Sequence, residues 1–470
     1  MNLLWKISVR ATLASMLMVS IAGTVQVIPI ALSMENINIK VNGKISNSIF
    51  NLSKKRFVAL IDNENEGEQT WKNWKQKKQE LKERRQGRKK GRKRKRISAE
   101  LAQKLQVTLD QVVEDNQLPG ATVGIVTPQG MWFGASGVSN LETKEPMRVN
   151  DIFGVGSVTK IFTAVTVLKL VEEGILSLDD TLEKWLPEVA SKITDGKTIT
   201  IRQLLNGTAG VYNYPDDEKF LADYIAETQK QFATGEVKRW RPEELLEYVY
   251  GKPRFQGGGC IGGKWCYTNT SSVLAGMIVE KATGSSFARV LRDKVLNPLR
   301  LKHTFFSGDE DIVGRQARGY QDLFKADGSF GQDGIPDDLT EANFSAYWAN
   351  GALFSNAKDL TRFMLALSGD KLLEPESLNQ MLTFIDISQF GLGTESREFP
   401  WGKAWGKGGD HPGYQAYALH FPDSGITIVT LVNRQYEIEN PEKQFTALTP
   451  AVYTAILNTL QAEIQENSSQ

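Results

Sequence analysis

The run 158–174, VTKIFTAVTVLKLVEEG, is apolar nearly all round when set on a helix. A helix of this kind has no face suited to water, so it must lie between two layers of other elements. The fold has to supply both layers.

Elements for those layers stand at the two ends of the region 97–465. Ser98 suits a helix N-cap, and Leu101, Leu105, Leu109, Val112 and Val113 recur at helical spacing, which predicts an amphipathic helix over 99–115. Pro119 and Gly120 end it. ATVGIVTP and MWFGASGV then read as two strands joined by a turn at Pro128, Gln129 and Gly130. Towards the other end, YALHF and GITIVTLVN flank the turn 422–425 as a second hairpin. Thr449 and Pro450 then start a helix that buries Val452, Ile456, Leu457 and Leu460. Between the hairpins, roughly 157–385 is mostly helical with long loops, and no repeat is evident. The expected fold is α/β: an antiparallel β-sheet flanked by N- and C-terminal helices, with an inserted all-α region.

The formal net charge of +1 conceals two opposed regions. Residues 71–96 carry 15 Lys+Arg against 2 Glu, whereas 97–470 has a net charge of −14. The basic run repels itself and reads as part of a disordered tether over 34–96. As a solvated linker it needs no partner. As an adhesive it would hold an anionic cell-envelope polymer or a membrane surface by counterion release. Nucleic acid is not expected, because no sequence-reading fold accompanies the charge.

Upstream, Lys6 and Arg10 precede a mostly apolar run from Ala11 to Leu32. Residues 1–33 therefore read as a signal peptide cleaved after Ser33 or as an uncleaved N-terminal membrane anchor. Either would export the remainder, placing it in the periplasm or cell envelope or secreting it. In such a compartment Cys260 and Cys266, within GGGCIGGKWCY, form a disulfide or stay as two buried thiols. A metal site is not expected from two thiols with no neighbouring histidine.

GSVTK contains an S-x-x-K pattern, Ser157 and Lys160. Residues three apart on a helix share a face, so the amine can reach the hydroxyl and activate it. The pattern alone is weak, since it recurs at Ser355/Lys358 and at Ser368/Lys371. Only Ser157 follows Gly154 and Gly156 and opens the all-apolar helix, where its own N–H can help to stabilise an oxyanion. A serine acting purely as a helix cap would need no lysine at that spacing. Tyr267, Thr268 and Asn269 form the only Y-x-N, in the loop entering the helix TSSVLAGMIVEKATG that Gly284 ends. A tyrosine flanked by ammonium groups has its phenolate favoured and can act as a general base. There is no G-x-S-x-G elbow, no H-E-x-x-H, and only His303, His411 and His420 to serve a Ser-His-Asp triad. The chemistry that fits is a serine nucleophile served by a lysine and a tyrosine, with no metal or other cofactor.

GSVTK, YTN and a later cation-Gly motif, in that order, resemble the family of class C β-lactamases, D-alanyl-D-alanine carboxypeptidases and related serine esterases. The likeness continues through LSLDDTLEKWLP, TIRQLLNGTAGVYNY and NGALFSNAKDLTRFMLAL, covering about 110–435. The resemblance implies a sheet region against a helical region with the site in the cleft between them. It implies that Ser157 attacks a carbonyl, that Lys160 and Tyr267 handle its proton, that Asn269 orients the substrate amide, and that water releases the acyl-enzyme. The pattern departs at Gly207 and Ala209, where relatives often carry His and Ser, which bears on substrate preference.

The third motif has two possible registers within WGKGGDHPGYQAY, residues 405–417: Lys407-Gly408-Gly409 or His411-Pro412-Gly413. It needs a cation at a strand edge, then a residue small enough for substrate to lie against the backbone, then a backbone N–H aimed at the oxyanion. Lys407 satisfies all three, and Gly413-Tyr414 follows where relatives carry a Gly-aromatic pair. The His411 register would place Pro412, which has no N–H, in the strand. Lys407, Gly408 and Gly409 are thus the expected substrate-binding residues. Asp410 is expected to supply the second oxyanion N–H through its backbone, and His411 to line the rim of the cleft.

The expected activity is an exported serine hydrolase forming an acyl-enzyme on Ser157, a D-alanyl-D-alanine carboxypeptidase acting on peptidoglycan-type peptides or a β-lactamase-like enzyme acting on β-lactams. A hydrolase of small esters on the same fold is the alternative. From another class, the domain would be a non-catalytic binding module tethered to the envelope.

Overall fold

The computed structural model describes residues 96–470 apart from 258, 325–333, 343, 370, 436–447 and 469–470, and before them the backbone of 15–21, 24–30, 39–41 and 44–46. The chain divides into two compact units, Met1–Lys93 and Arg94–Gln470.

In the first unit Ser15–Ile21 pairs antiparallel with Thr24–Ile30, and Ile39–Val41 with Lys44–Ser46. The segment expected to be a leader or an anchor is therefore extended over much of its apolar run, as its Val and Ile content allows. No helix among the described residues is long and apolar enough to cross a membrane. The expected tether 34–96 contains the second short pair, and 71–95 of its basic segment lies outside the described residues.

The second unit is built on a six-stranded antiparallel sheet. The elements that frame the sheet and its site are α1 (Ala99–Asp115), β1 (Gly120–Val126), β2 (Met131–Gly137), α2 (Thr159–Glu172), α3 (Asn269–Thr283), α4 (Ala357–Leu367), β3 (Glu395–Phe399), β4 (Gly402–His411), β5 (Tyr414–Phe421), β6 (Ile426–Val432) and α5 (Leu448–Ser468). The strand order is β3-β4-β5-β6-β1-β2, so the first and last strands of this sheet in chain order, β1 and β6, pair with each other inside it. That junction encloses all the intervening chain as an insertion.

The two layers demanded by the apolar helix are present. α2 has eleven buried residues, from Thr159 to Leu170. It packs within one core cluster that joins the helical region to one face of the sheet, through residues such as Val158, Ile161, Phe162, Phe363, Trp405 and Val429. A second cluster covers the opposite face, where Leu105, Leu109 and Val113 of α1 and Val452, Ile456, Leu457 and Leu460 of α5 pack on β1, β5 and β6. Ser98 caps α1 as expected, its Oγ accepting the Leu101 N–H at 3.1 Å. β3 carried no clear alternation in the sequence; it is formed by pairing of Glu395–Phe399 with 402–406 of β4. It covers only the first half of β4, and among the described residues no strand pairs with that edge from Lys407 onward.

Candidate active site

Ser157 lies in the tight turn Gly156–Val158 that runs into α2. Gly156 takes φ +51°, a left-handed conformation that a Cβ would disfavour. One helical turn on, the Lys160 Nζ lies 2.9 Å from Ser157 Oγ. From the loop before α3, the Tyr267 hydroxyl lies 2.7 Å from the same oxygen. Thr268 caps α3 by accepting the Ser271 N–H, which holds Tyr267 at the mouth of the helix.

Lys160 is 4% exposed and is held by two further acceptors, Asn269 Oδ1 at 2.7 Å and the Asn350 carbonyl at 3.0 Å. Those acceptors take two N–H bonds, so an uncharged amine directs its lone pair at the Ser157 hydroxyl. Burial lowers the Lys160 pKa below that of an ordinary lysine; Tyr267 opposes the shift and Lys407 adds to it. For Tyr267, burial pushes the phenol up, but the Lys160 and Lys407 charges and the Ser157 hydrogen bond outweigh it and hold the group below an ordinary tyrosine. Both ammonium groups lie 5.0 Å from the Tyr267 ring centre. The serine proton therefore has two acceptors, each easier to deprotonate than its free counterpart.

β4 passes close to this turn because two glycines face each other. A Cβ on Gly409 would lie 2.7 Å from the Ser157 nitrogen and 2.1 Å from the Val155 oxygen. A Cβ on Gly156 would lie 2.8 Å from the Asp410 nitrogen and 2.2 Å from its oxygen. Backbone N–H groups two apart on a strand point to the same side, and that of Gly408 points off the β4 edge to Glu395 Oε1 at 3.4 Å. The Asp410 N–H thus emerges on the same free edge, next to the Ser157 N–H. Two adjacent backbone donors beside a serine hydroxyl are an arrangement that can hold an oxyanion.

Lys407 is buried, and its Nζ lies 3.2 Å from Glu395 Oε2. Burial opposes its charge, but the Glu395 carboxylate outweighs burial and raises its pKa above that of an ordinary lysine. Asp410 opens onto the cleft yet has protein packed around its carboxylate, which raises its pKa to about 6 although Gln415 donates to it at 2.8 Å.

His411 departs from the expectation. It shares a sheet face with Lys407 and Gly409, as period-two alternation requires, but the segment 153–157 crosses over it: a Cβ on Gly154 would lie 2.8 Å from its Nδ1. The ring is 0% exposed and packed among Phe344, Tyr347, Phe354 and Tyr414. Among the described residues neither nitrogen has a well-aligned hydrogen-bond partner. Burial takes its pKa down to about 3, and the Pro412 backbone offsets little of that. His411 is a core residue, and it does not line the cleft. Pro412 and Gly413 form the turn between β4 and β5.

Ser157, Tyr267, Asn269, Lys407, Gly408, Gly409 and Asp410 all border one cleft of about 790 Å³. Lys160 lies beneath it. Asn269 spends its Oδ1 on Lys160, so its Nδ2 is the group available to a substrate. Cys260 and Cys266 are joined as a disulfide, pairing the short strands that carry Ile261 and Trp265 to the cleft wall. Gly207 ends the short helix before it at φ +80°, and the Trp265 indole occupies the adjoining space, donating to the Asn206 carbonyl at 2.7 Å. A side chain on Gly207 would strike that indole, with its Cβ 2.4 Å from Nε1.

Three contributors went unread in the sequence. The Asn350 carbonyl is a main-chain group, Asn213 steadies the Asn269 N–H at 2.8 Å, and Glu395 reaches Lys407 from the neighbouring strand. None had a local signal: Glu395 stands opposite Gly406, one residue from Lys407, only through the hairpin that turns at Pro400 and Trp401.

A serine flanked by a lysine and a tyrosine, under a sheet edge that offers backbone donors, defines a serine hydrolase of β-lactamase and transpeptidase fold. The chain belongs to the Beta-lactamase family, whose pattern matches residues 105–452. It is 25% identical over 348 residues to Penicillin-binding protein 4* of Bacillus subtilis (strain 168), covering 71% of this chain and 72% of that one. It is 29% identical over 323 residues to Esterase EstB of Burkholderia gladioli, covering 65% and 79%. Among solved structures, a D-stereospecific amidohydrolase from Streptomyces sp. superposes with a TM-score of 0.62 at 28% identity, over 75% of this chain and 98% of that one.

Proposed function

We propose that this serine hydrolase is exported and cleaves amide or ester bonds through an acyl-enzyme on Ser157. One observation carries the chemistry: Ser157 Oγ sits 2.9 Å from the Lys160 amine and 2.7 Å from the Tyr267 hydroxyl, beside two backbone donors. Lys160 and Tyr267 take the serine proton and return it to the leaving group, the Ser157 and Asp410 N–H groups hold the oxyanion, and water releases the acyl group.

Two substrate forms divide at Lys407. The motif set favours D-alanyl-D-alanine peptides or β-lactams, both of which bring a carboxylate, and the similarity to Penicillin-binding protein 4* supports it. The ion pair between Lys407 and Glu395 favours uncharged esters or amides, and the similarity to Esterase EstB supports that form.

The test is to expose folded protein to a fluorescent penicillin and to short-chain p-nitrophenyl esters, and to map the adduct. An adduct on Ser157 from either reagent, with turnover lost in Ser157→Ala, is expected. No adduct on Ser157 from both would leave the binding-module reading in its place. Export is tested by fractionating cells that express the full chain. Adhesion of 71–96 is tested by salt-dependent retention on a polyanion column with and without that segment.

A further inference from the structure

Glu395 is built into the cleft at the place where Lys407 would meet a substrate anion. Its Oε2 receives Lys407 Nζ at 3.2 Å, and its Oε1 receives the Gly408 N–H at 3.4 Å and the Tyr417 hydroxyl at 3.0 Å. Arg397 Nη2 stands 3.5 Å from Oε1. The Glu395 side chain is 14% exposed and that of Lys407 8%. Glu395 thus takes the cation and the first unpaired edge N–H of β4, the two donors a carboxylate ligand would need there.

We propose that Glu395 is a specificity-determining residue that fills the anion position at Lys407 and makes the enzyme select substrates whose far end is an uncharged amide or ester over those with a free carboxylate. The inference rests on the acyl-enzyme reading and decides between its two substrate forms. A substrate carboxylate entering this position either displaces Glu395, leaving a buried carboxylate without its ammonium partner, or lies within a few ångströms of a like charge. The rest of the cleft gives it little help. Asp216 and Asp410 also line the wall, and Arg397 is already turned to Glu395. An amide or ester end brings no charge and meets neither cost.

The experiment compares acetyl-D-alanyl-D-alanine with its C-terminal amide, following release of D-alanine or D-alaninamide. The wild type is expected to favour the amide in kcat/KM by about tenfold or more, and Glu395→Gln to reduce that ratio by about tenfold, mainly through a faster reaction of the free acid. Glu395→Asp, which keeps the charge, is expected to keep the preference. A measurement that needs no variant compares Ser157 acylation in the wild type by a penicillin and by its methyl ester, the ester being expected to react faster. Equal reaction of acid and amide in the wild type, or a ratio unmoved in Glu395→Gln, overturns this proposal alone. Absence of turnover and of any Ser157 adduct with all four compounds overturns the acyl-enzyme reading, and the proposal with it.

Discussion

The Tyr267 hydroxyl lies 2.7 Å from Ser157 Oγ, although the two residues are 110 apart in the chain. Tyr267→Phe removes only that hydroxyl and one route for the serine proton. Its kcat on a p-nitrophenyl ester is expected to fall by roughly 10²–10⁴-fold with little change in melting temperature. Ser157→Ala and Lys160→Ala are expected to fall at least as far. Near wild-type turnover in Tyr267→Phe would remove the tyrosine from the proton path.

The register of the third motif separates two neighbouring cations. Lys407→Ala is expected to cost on the order of 100-fold in kcat/KM, because it removes a charge from the cleft and leaves Glu395 without its partner. His411→Ala is expected to lower stability by about 3 kcal/mol, as emptying a packed aromatic pocket does, while the folded fraction keeps most of its activity. Activity normalised to folded protein, with thermal melts, checks both. A larger activity loss in the histidine variant would reverse the assignment.

The pH profile reports the electrostatics. Tyr267 and Lys160 are both held below their ordinary pKa values, and Lys407 pushes each of them down. Activity is therefore expected to rise with pH as the pair loses a proton. Removing the positive charge in Lys407→Ala lets both pKa values climb, so the rising limb moves to higher pH, and Lys407→Arg restores it. A limb in the same place for all three proteins would show that the Lys407 charge does not reach the pair.

Close approach of β4 to the nucleophile turn depends on Gly409 and Gly156. A methyl on Gly409 meets the Ser157 nitrogen and the Val155 oxygen, neither of which can yield without moving the oxyanion donors. Gly409→Ala is expected to reduce kcat by about 10²-fold or more while substrate KM changes less. Steady-state kinetics on one ester substrate distinguish this from general destabilisation, which would lower the active fraction and leave kcat per active site unchanged.

The disulfide Cys260–Cys266 closes a short loop on the cleft wall. Loop-closure entropy for so small a ring gives a stabilisation of about 2 kcal/mol. Reducing agent, or Cys260→Ser with Cys266→Ser, is expected to lower the melting temperature by a few degrees and to raise KM, since Ile261 and Trp265 border the cleft. An unchanged melt would show that the loop is held by its other contacts.

Much of the molecule was legible along the chain. Periodicity located α1, α5 and the two hairpins, and the uninterrupted apolar helix required a layer on each side, because these signals are local and repeat every two or four residues. Spacing with its helical context singled out Ser157 and Lys160, and the resemblance to a known family added Tyr267 and Lys407. β3 was not legible, since its strand character comes from the edge of β4 and not from its own alternation. The position of His411 was not legible either: alternation places it on the same face as Lys407, and only the crossing of 153–157 separates a buried ring from a cleft-lining one.

The sequence by itself determined α1, α5, the two hairpins, the order of the motifs and the choice of Ser157, Lys160 and Tyr267 as the candidate nucleophile and proton acceptors. The tertiary structure alone decided that His411 is buried away from the cleft, how Gly156 and Gly409 bring two backbone donors together, and that Glu395 pairs with Lys407. The physical reason is that burial and pairing of charge depend on what the rest of the chain lays over a residue. That covering comes from segments distant in sequence, and no pattern local to the residue records it.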